Sequence, residues 1–411
     1  MAQVVIAGAG IVGLATAIWL QRLGQDVVIV DRGEPELAAS SGNAGVIASA
    51  EILPFATPQM ARRAPRLMIT PGSPLSMRWT YLPRALPYLL AHLRTCTASH
   101  VETYVRAMAT LTADSQAQHA ALAEGSGAAS FLQSGDYCTG YATKEAWQAD
   151  RAALALRERH GTEIETMDGA AFGAQESFYE GFFHKVVRMK NHGWITDPGG
   201  YLAALRMAFE QNGGQVVSAT ITDVMATPNP TLITSEGRIS GARLVLALGA
   251  WSAPFARRLG LGRLRMESQR GYHLDLHSPS AMPQIPMKIP AHGVVVTPMR
   301  DRLRVAGLVE FGGLNAPPTA RRLEQLKAVT TALFPSLCFN HTSSWMGHRP
   351  ISPDSLPLIG PIDSGAKVFA AFGHQHMGMT TGPITGRLIA QMIMGKDVPD
   401  FVTAFEPVRY A

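Results

Sequence analysis

Short apolar runs separated by glycine turns set the pattern at the start of this chain. Val4-Val5-Ile6-Ala7 is unbroken and apolar, as a strand buried on both faces requires. Gly8-Ala9-Gly10 follows, Ile11 to Leu23 reads as a helix, and Gly24 ends it. Asp26 to Val30 is a second buried run with Asp31 at its carboxyl end, so the segment predicts one complete βαβ half. From about Glu51 the pattern changes. Pro54, Pro58, Pro65, Pro71 and Pro74 punctuate a predicted loop, and Leu82 to Leu93 is amphipathic. Helices are predicted over Thr103–Ala123 and Ala149–His160, with a strand region at Phe131–Tyr141 between them.

Asp197-Pro198 has the form of a helix start, an aspartate cap followed by proline at N1, and that helix runs to about Asn212. A strand at Gln215–Val217, a hairpin at Thr220–Arg238 and a buried strand at Leu244–Leu248 come next. Residues 264–312 read as several antiparallel strands and Thr319–Phe334 as a helix. Val368–Phe372 is a last strand, followed by a glycine-rich turn and a helix from about Met379 to Met394. The interleaving predicts an α/β fold (α+β overall). In it a discontinuous Rossmann-like domain, 1–50, 195–258 and 345–411, carries an inserted second domain, 51–194 and 259–344, on a mixed, largely antiparallel sheet.

At 411 residues the chain is long enough for those two domains. Its net charge of +5 comes from scattered arginines such as Arg62, Arg63, Arg257 and Arg258, with no run of like charge, so no nucleic-acid partner is expected. Cys96, Cys138 and Cys338 lie far apart and fit no zinc spacing; no metal is expected, and a reducing compartment is. The triplet Asn340-His341-Thr342 is accordingly read as chance. The apolar stretch Val4–Leu20 has no basic leader, and glycines interrupt it at turn spacing, which a βαβ turn explains and a membrane span does not. The chain is therefore expected in the cytoplasm or facing it.

The chemistry begins at Gly8-x-Gly10-x-x-Gly13. In such a fingerprint the first glycine makes the tight turn, the second lets a pyrophosphate approach the backbone, and the third lets helix and strand pack closely. The phosphates meet the free N–H groups and positive end of the helix, here at Ile11 and Val12. Asp31, eighteen residues after Gly13, is where a carboxylate accepts from an adenosine ribose. Preceding strand, following helix and acid together indicate a dinucleotide without separating FAD from NAD. Ser40-Ser41-Gly42-Asn43-Ala44-Gly45 is a small, hydroxyl-bearing loop able to lie against a planar ring and offer N–H donors to phosphate.

Asp31-Arg32 with that loop, Gly347-His348-Arg349-Pro350-x-Ser352-Pro353-Asp354, Gly373-His374-x-x-x-Gly378 and Gly386-Arg387-Leu388 together resemble the D-amino-acid oxidase-like flavoproteins, particularly the bacterial D-amino-acid dehydrogenases. Pro71-Gly72-Ser73-Pro74-Leu75 is also similar to those dehydrogenases. The resemblance spans essentially the whole chain, with gaps in the middle. It implies FAD as cofactor, an FAD-binding first domain and a substrate-binding second one. It gives Arg32, Ser40, Ser41, Asn43, Ala44 and Gly45 places beside the cofactor, with Gly249 and Trp251 as a second nucleotide contact and Val217 at the adenine. Gly373, Gly378, Met379 and Thr380 bring a helix amino end toward the flavin, which would stabilise negative charge on the reduced ring. Some related amine oxidases hold flavin through a cysteine just upstream of the Pro-Asp motif; Gly347 stands there, so non-covalent FAD is expected.

The resemblance also implies the substrate site. Arg349 would grip a substrate carboxylate with its guanidinium fork, Tyr272 would donate to the same carboxylate, and His374 would line the pocket. Arg270 is read as structural. The implied reaction is FAD-dependent oxidative deamination of an amino acid, of D configuration, by hydride transfer to flavin, giving a 2-oxo acid and ammonia. Alternatives are oxidation of glycine, sarcosine or another secondary amine, a nicotinamide-dependent dehydrogenase, and a non-catalytic flavoprotein subunit. The electron acceptor (quinone, another carrier or oxygen) stays open. The apolar, arginine-flanked region 65–93 is read either as a peripheral membrane contact on the cytoplasmic face or as a buried helix of the second domain.

Overall fold

The structure, a computed structural model, describes residues 2–411. Val4, Val5, Ile6 and Ala7 are all buried in strand β1 (Ala2–Ala7), which runs parallel to β2 (Val27–Asp31) on one side and to the strand Gly237–Leu246 on the other. A strand paired on both edges and covered on both faces has no solvent side, which is why it reads as an unbroken apolar run. The sheet continues through Gln215–Ser218 beyond β2, and through Val368–Phe372 and the antiparallel Leu358–Pro361 at the opposite edge.

Helix α1 (Ile11–Arg22) is buried along nearly its whole length, so it carries no polar face. It packs between the sheet and the C-terminal helix Gly378–Ile393, whose Gly382 and Gly386 form a groove one helical turn long. A Cβ at Gly386 would stand 2.5 Å from the Ala15 carbonyl carbon and the Thr16 nitrogen, so the two helices touch backbone to backbone there.

The second sheet runs in the order His341–Ile351, Glu267–His277, Arg302–Phe311, Val294–Pro298, Met287–Ile289, Leu132–Tyr141, Lys185–Ile195 and Val46–Ile47. Its order is mostly antiparallel, and the helix Ala320–Leu333 covers one face. The mixed α/β fold with two mixed sheets agrees with the sequence reading. In sheet membership, His341–Ile351 and Val46–Ile47 belong to the second sheet, although they fall inside or across segments expected in the first domain.

Three local expectations change. The proline-rich stretch contains a helix, Pro58–Ile69, because Thr57 caps it by accepting from Met60 N and Pro58 occupies its first position. The long helix expected over 103–123 is two, Ala98–Thr112 and Ser115–Ala123, broken at Asp114. Asp197 precedes the helix Pro198–Gln211 as expected but does not cap it; its carboxylate instead takes Arg302 at 3.0 Å. The carboxylate is thereby drawn to a neighbouring guanidinium instead of the first helical N–H groups.

Replacing Gly386 with alanine should force the two helices apart and destabilise the protein by about 1–3 kcal/mol, read as a lower midpoint in urea. An unchanged midpoint would show that the helix contact is looser than described.

Candidate active site

The parallel strands end at a common edge, and the turn after β1 is built for close approach. Gly8 has φ +106°, and a Cβ there would lie 2.5 Å from the Ala247 carbonyl oxygen. A Cβ at Gly13 would lie 1.9 Å from the Gly8 carbonyl oxygen, so the amino end of α1 is pressed directly onto the turn. Gly10, the residue before α1, supplies no side-chain cap. One early N–H, that of Ile11, reaches Ser40 Oγ at 3.1 Å, while others of the first turn face the cavity unfilled by side chains. Asp31 takes Ala9 N at 2.9 Å and Gly33 N at 3.0 Å, which fixes its carboxylate beside the turn.

The loop after β2 is held by itself and by the second sheet. Asn43 Oδ1 accepts from Gly45 N at 2.7 Å and Asn43 Nδ2 donates to Ser40 O at 2.6 Å. Arg304 donates to Asn43 O at 2.8 Å, from a buried position where it also grips Asp275. Gly45, at φ +76°, approaches Ile195 so closely that a Cβ would stand 2.6 Å from its carbonyl oxygen.

Turn, loop and second sheet enclose a cavity of about 1020 Å³, at the upper end of the range for small-molecule sites. Gly8, Gly10, Ile11, Val12, Asp31 and Arg32 line it, with Ser40, Asn43, Ala44 and Gly45 next along its wall. Gly249, Trp251, Gly378, Met379 and Thr380 line it too, as do Arg349, Tyr272 and His374. Gly13, Ser41, Val217 and Gly373 stand behind the wall. Gly13 serves the helix contact, Ser41 Oγ donates to Pro35 O, and Val217 packs within the sheet beside Val30. Ala219, Thr220 and Ile221, just past that strand, reach the cavity in place of Val217. The glycine cradle, free helix amino end and elongated volume fit a dinucleotide.

At the inner end, Arg349 lies along the strand Glu267–His277. A Cβ at Gly271 would stand 2.2 Å from its Nη2, so glycine there makes room for the guanidinium. Its one protein hydrogen bond is to Leu308 O at 3.3 Å, and among the described residues no carboxylate pairs with it. It is half-buried and lines the cavity, and burial pulls its pKa down to about 10, so it stays cationic near neutrality.

Tyr272 does not join it. Gln269, Gly271 and His273 share Arg349's face of the sheet, and strand alternation sends Arg270 and Tyr272 to the opposite one. There the Tyr272 hydroxyl donates to Glu310 at 2.7 Å and receives Thr319 N, while Arg270 is fully buried against Glu310 and the carbonyls of Gly313 and Ala316. The expected donation from Tyr272 to a substrate carboxylate is thus replaced by a fixed bond to Glu310. His374 is buried with Nε2 on Thr385 Oγ1 at 3.0 Å, and burial pushes its pKa down to about 3. His376, absent from the sequence reading, presents an unpartnered Nδ1 in this chamber, with its pKa lowered to about 4 by burial. Glu51, Arg157 and Lys288, likewise unforeseen, bring a charged cluster to the same wall.

The family described as FAD dependent oxidoreductase matches residues 3–392. The chain belongs to that family. A D-amino-acid oxidase of Bradyrhizobium diazoefficiens is 33% identical over 99% of both chains. A D-amino acid dehydrogenase of the same organism is 26% identical over 100% of this chain and 99% of the relative. Among solved structures, glycine oxidase from Geobacillus kaustophilus superposes with a TM-score of 0.76 at 20% identity, covering 99% of this chain and 98% of that one. The cofactor is FAD, and the cradle described above suits its dinucleotide half. No helix of the described residues is long and apolar enough to cross a membrane.

Asp31→Ala removes a charged acceptor beside the cradle and should weaken FAD binding about 10- to 100-fold. Titrating FAD into apoprotein and following quenched flavin fluorescence measures this; wild-type affinity in the variant would remove Asp31 from the site.

Proposed function

We propose that the protein oxidises a D-amino acid to the 2-oxo acid and ammonia, with the substrate carboxylate held by Arg349. The carrying observation is a half-buried guanidinium at the inner end of the cavity that, among the described residues, pairs with no carboxylate. Burying an unpaired cation is costly, and an anionic ligand recovers that cost. The named activities of the two Bradyrhizobium relatives support the D-amino acid reading. FAD, when bound, supplies the two-electron oxidation of the Cα–N bond. The chain's own contribution is binding and orientation: Arg349 fixes the carboxylate, and the apolar walls around Leu53, Tyr88 and Leu308 exclude water. Burial pushes the imidazoles of His374 and His376 down to about 3 and about 4, so both are neutral near pH 7, and among the described residues no carboxylate pairs with Arg349. None of the three cysteines lines the cavity, which supports non-covalent FAD.

A specific surface supports contact with an anionic lipid bilayer and a lipid-soluble electron acceptor. Residues 52–101 carry six arginines and no aspartate or glutamate, more positive charge than the whole chain's net +5. The helix Pro58–Ile69 has no buried residue, and Ile69, Trp79, Leu86, Leu90 and Leu93 are all exposed nearby. Basic and apolar residues exposed together suit the interface of an acidic bilayer. Leu67 and Met68 of that helix, with Tyr88 and Leu89 of the helix Leu82–Thr95, line the FAD cavity.

Arg349→Ala should lower kcat/KM for amino acids at least about 100-fold, mainly through KM. Anaerobic bleaching of the flavin by a panel of D-amino acids, L-amino acids and N-methyl amines reads the substrate class, and readmitted oxygen tests the acceptor. Unchanged kinetics in the variant would overturn the assignment. Because burial pushes His348, His374 and His376 down to between about 3 and about 4 and leaves Arg349 at about 10, affinity for a simple carboxylate inhibitor should stay flat between about pH 6 and 9.

For the membrane contact, co-sedimentation with phosphatidylserine vesicles should exceed that with neutral vesicles and fall as salt rises. Trp79→Ser combined with Arg62→Ala and Arg63→Ala should abolish it. Equal sedimentation with both lipids would rule the contact out.

A further inference from the structure

The charged cluster at the inner end of the cavity lies on the same floor as Arg349. Lys288 pairs across the sheet with Val295, Val295 with Ala306, Ala306 with His273, and His273 with Trp345. Directly paired residues share a face, and Trp345 shares its face with Arg349 four residues along the same strand. The Arg349 guanidinium reaches the strand Arg302–Phe311 at Leu308. Only the strand Val294–Pro298 separates that strand from the one bearing Lys288, a lateral distance of roughly 10 Å. His376, packed edge-on against Phe55, lines the same cavity within electrostatic reach of Glu51, Arg349 and Lys288.

The cluster is not electrically balanced. Glu51 takes Lys288 on Oε1, and Arg157 stands 3.6 Å from Oε2 while its Nε donates to Ala50 O. With Arg349, the inner chamber holds three cations against one carboxylate, and among the described residues the other Asp or Glu side chains lining the cavity are Asp31 and Glu34 near the cradle. Lys288 uses one of its three N–H donors on Glu51 and is about one-third exposed toward the cavity. A monocarboxylate substrate satisfies Arg349 and leaves the second excess cation uncompensated. A cationic side chain would have to displace Lys288 or Arg157 from Glu51, stranding a buried charge.

We infer that this end of the cavity is a second anion subsite, in which Lys288 receives the side-chain carboxylate of an acidic amino acid. This rests on the amino-acid reading given above and narrows it to α-amino dicarboxylates, bound with one carboxylate on Arg349 and the other on Lys288. The span suits a short side chain, with the lysine tether taking up the remaining distance.

Flavin absorbance changes in the FAD-loaded enzyme, titrated with glutarate and with its monoamide glutaramate, test the subsite without turnover. Glutarate should bind at least about tenfold tighter. Lys288→Met should erase that preference and Lys288→Arg should keep it; should the Met variant fail to fold, the wild-type comparison still decides. Correspondingly, kcat/KM for D-glutamate should exceed that for D-glutamine by about tenfold. Equal binding of glutarate and glutaramate by the wild type, or an undiminished preference in Lys288→Met, would overturn the inference. Tight, Lys288-dependent glutarate binding without flavin bleaching by any amino acid would support the subsite and overturn the amino-acid oxidation reading instead.

Discussion

The amino end of α1 is pressed against the turn after β1 so closely that no side chain fits between Gly13 and the Gly8 carbonyl. That contact puts several backbone N–H groups at the mouth of the cavity, where they have no helical partners. Helix ends of this kind are stabilised by negative charge, and a pyrophosphate is the negative charge such a turn admits. Much else in the molecule secures this placement. The C-terminal helix backs α1 through Gly382 and Gly386, and Ser40 and Asp31 bind the loop on either side of it.

The two sheets are joined at the same place. Arg304, buried in the second sheet, holds Asp275 with two hydrogen bonds and extends a third to the Asn43 carbonyl. His273 on the neighbouring strand meets the Gly42 carbonyl at 2.7 Å. Buried ion pairs of this sort add little net stability, since desolvation offsets attraction, but they fix geometry. Here the geometry fixed is that of the loop 40–45 relative to the floor carrying Arg349. The cradle's loop and the sheet that carries Arg349 are therefore tied together by one hydrogen-bond network.

What the sequence revealed follows from how local the signals are. β1, α1, β2 and Asp31 lie within thirty-one residues, and each residue type there answers a backbone requirement, so the cradle was legible. Arg349 and Tyr272 both reach the cavity wall, but only strand pairing reveals that Tyr272 faces away from Arg349, toward Glu310. Val217 missed the cavity because its strand ends one residue later, and the chain beyond that end turns toward it. Pro65 disguised a helix, since proline within a polar stretch reads as loop until the Thr57 cap is seen. Glu51 and Lys288 are 237 residues apart and join through no motif, so their pairing belongs to the fold alone.

Charge is distributed along the cavity in a way that gives its ends different tasks. Asp31 and Glu34 line the cavity near the glycine turn and the amino end of α1, an end suited to ribose hydroxyls as donors and to phosphates held by helix N–H groups. At the other end Arg349, Lys288 and Arg157 outnumber Glu51. Lysines near the phosphates would compete for the substrate carboxylate, and uncompensated acids in the inner chamber would repel it. Recognising the phosphates with backbone dipoles leaves the side-chain cations free for the substrate. One end of the cavity is thus shaped by backbone geometry, while the other is marked by a few side-chain charges whose pairing is incomplete.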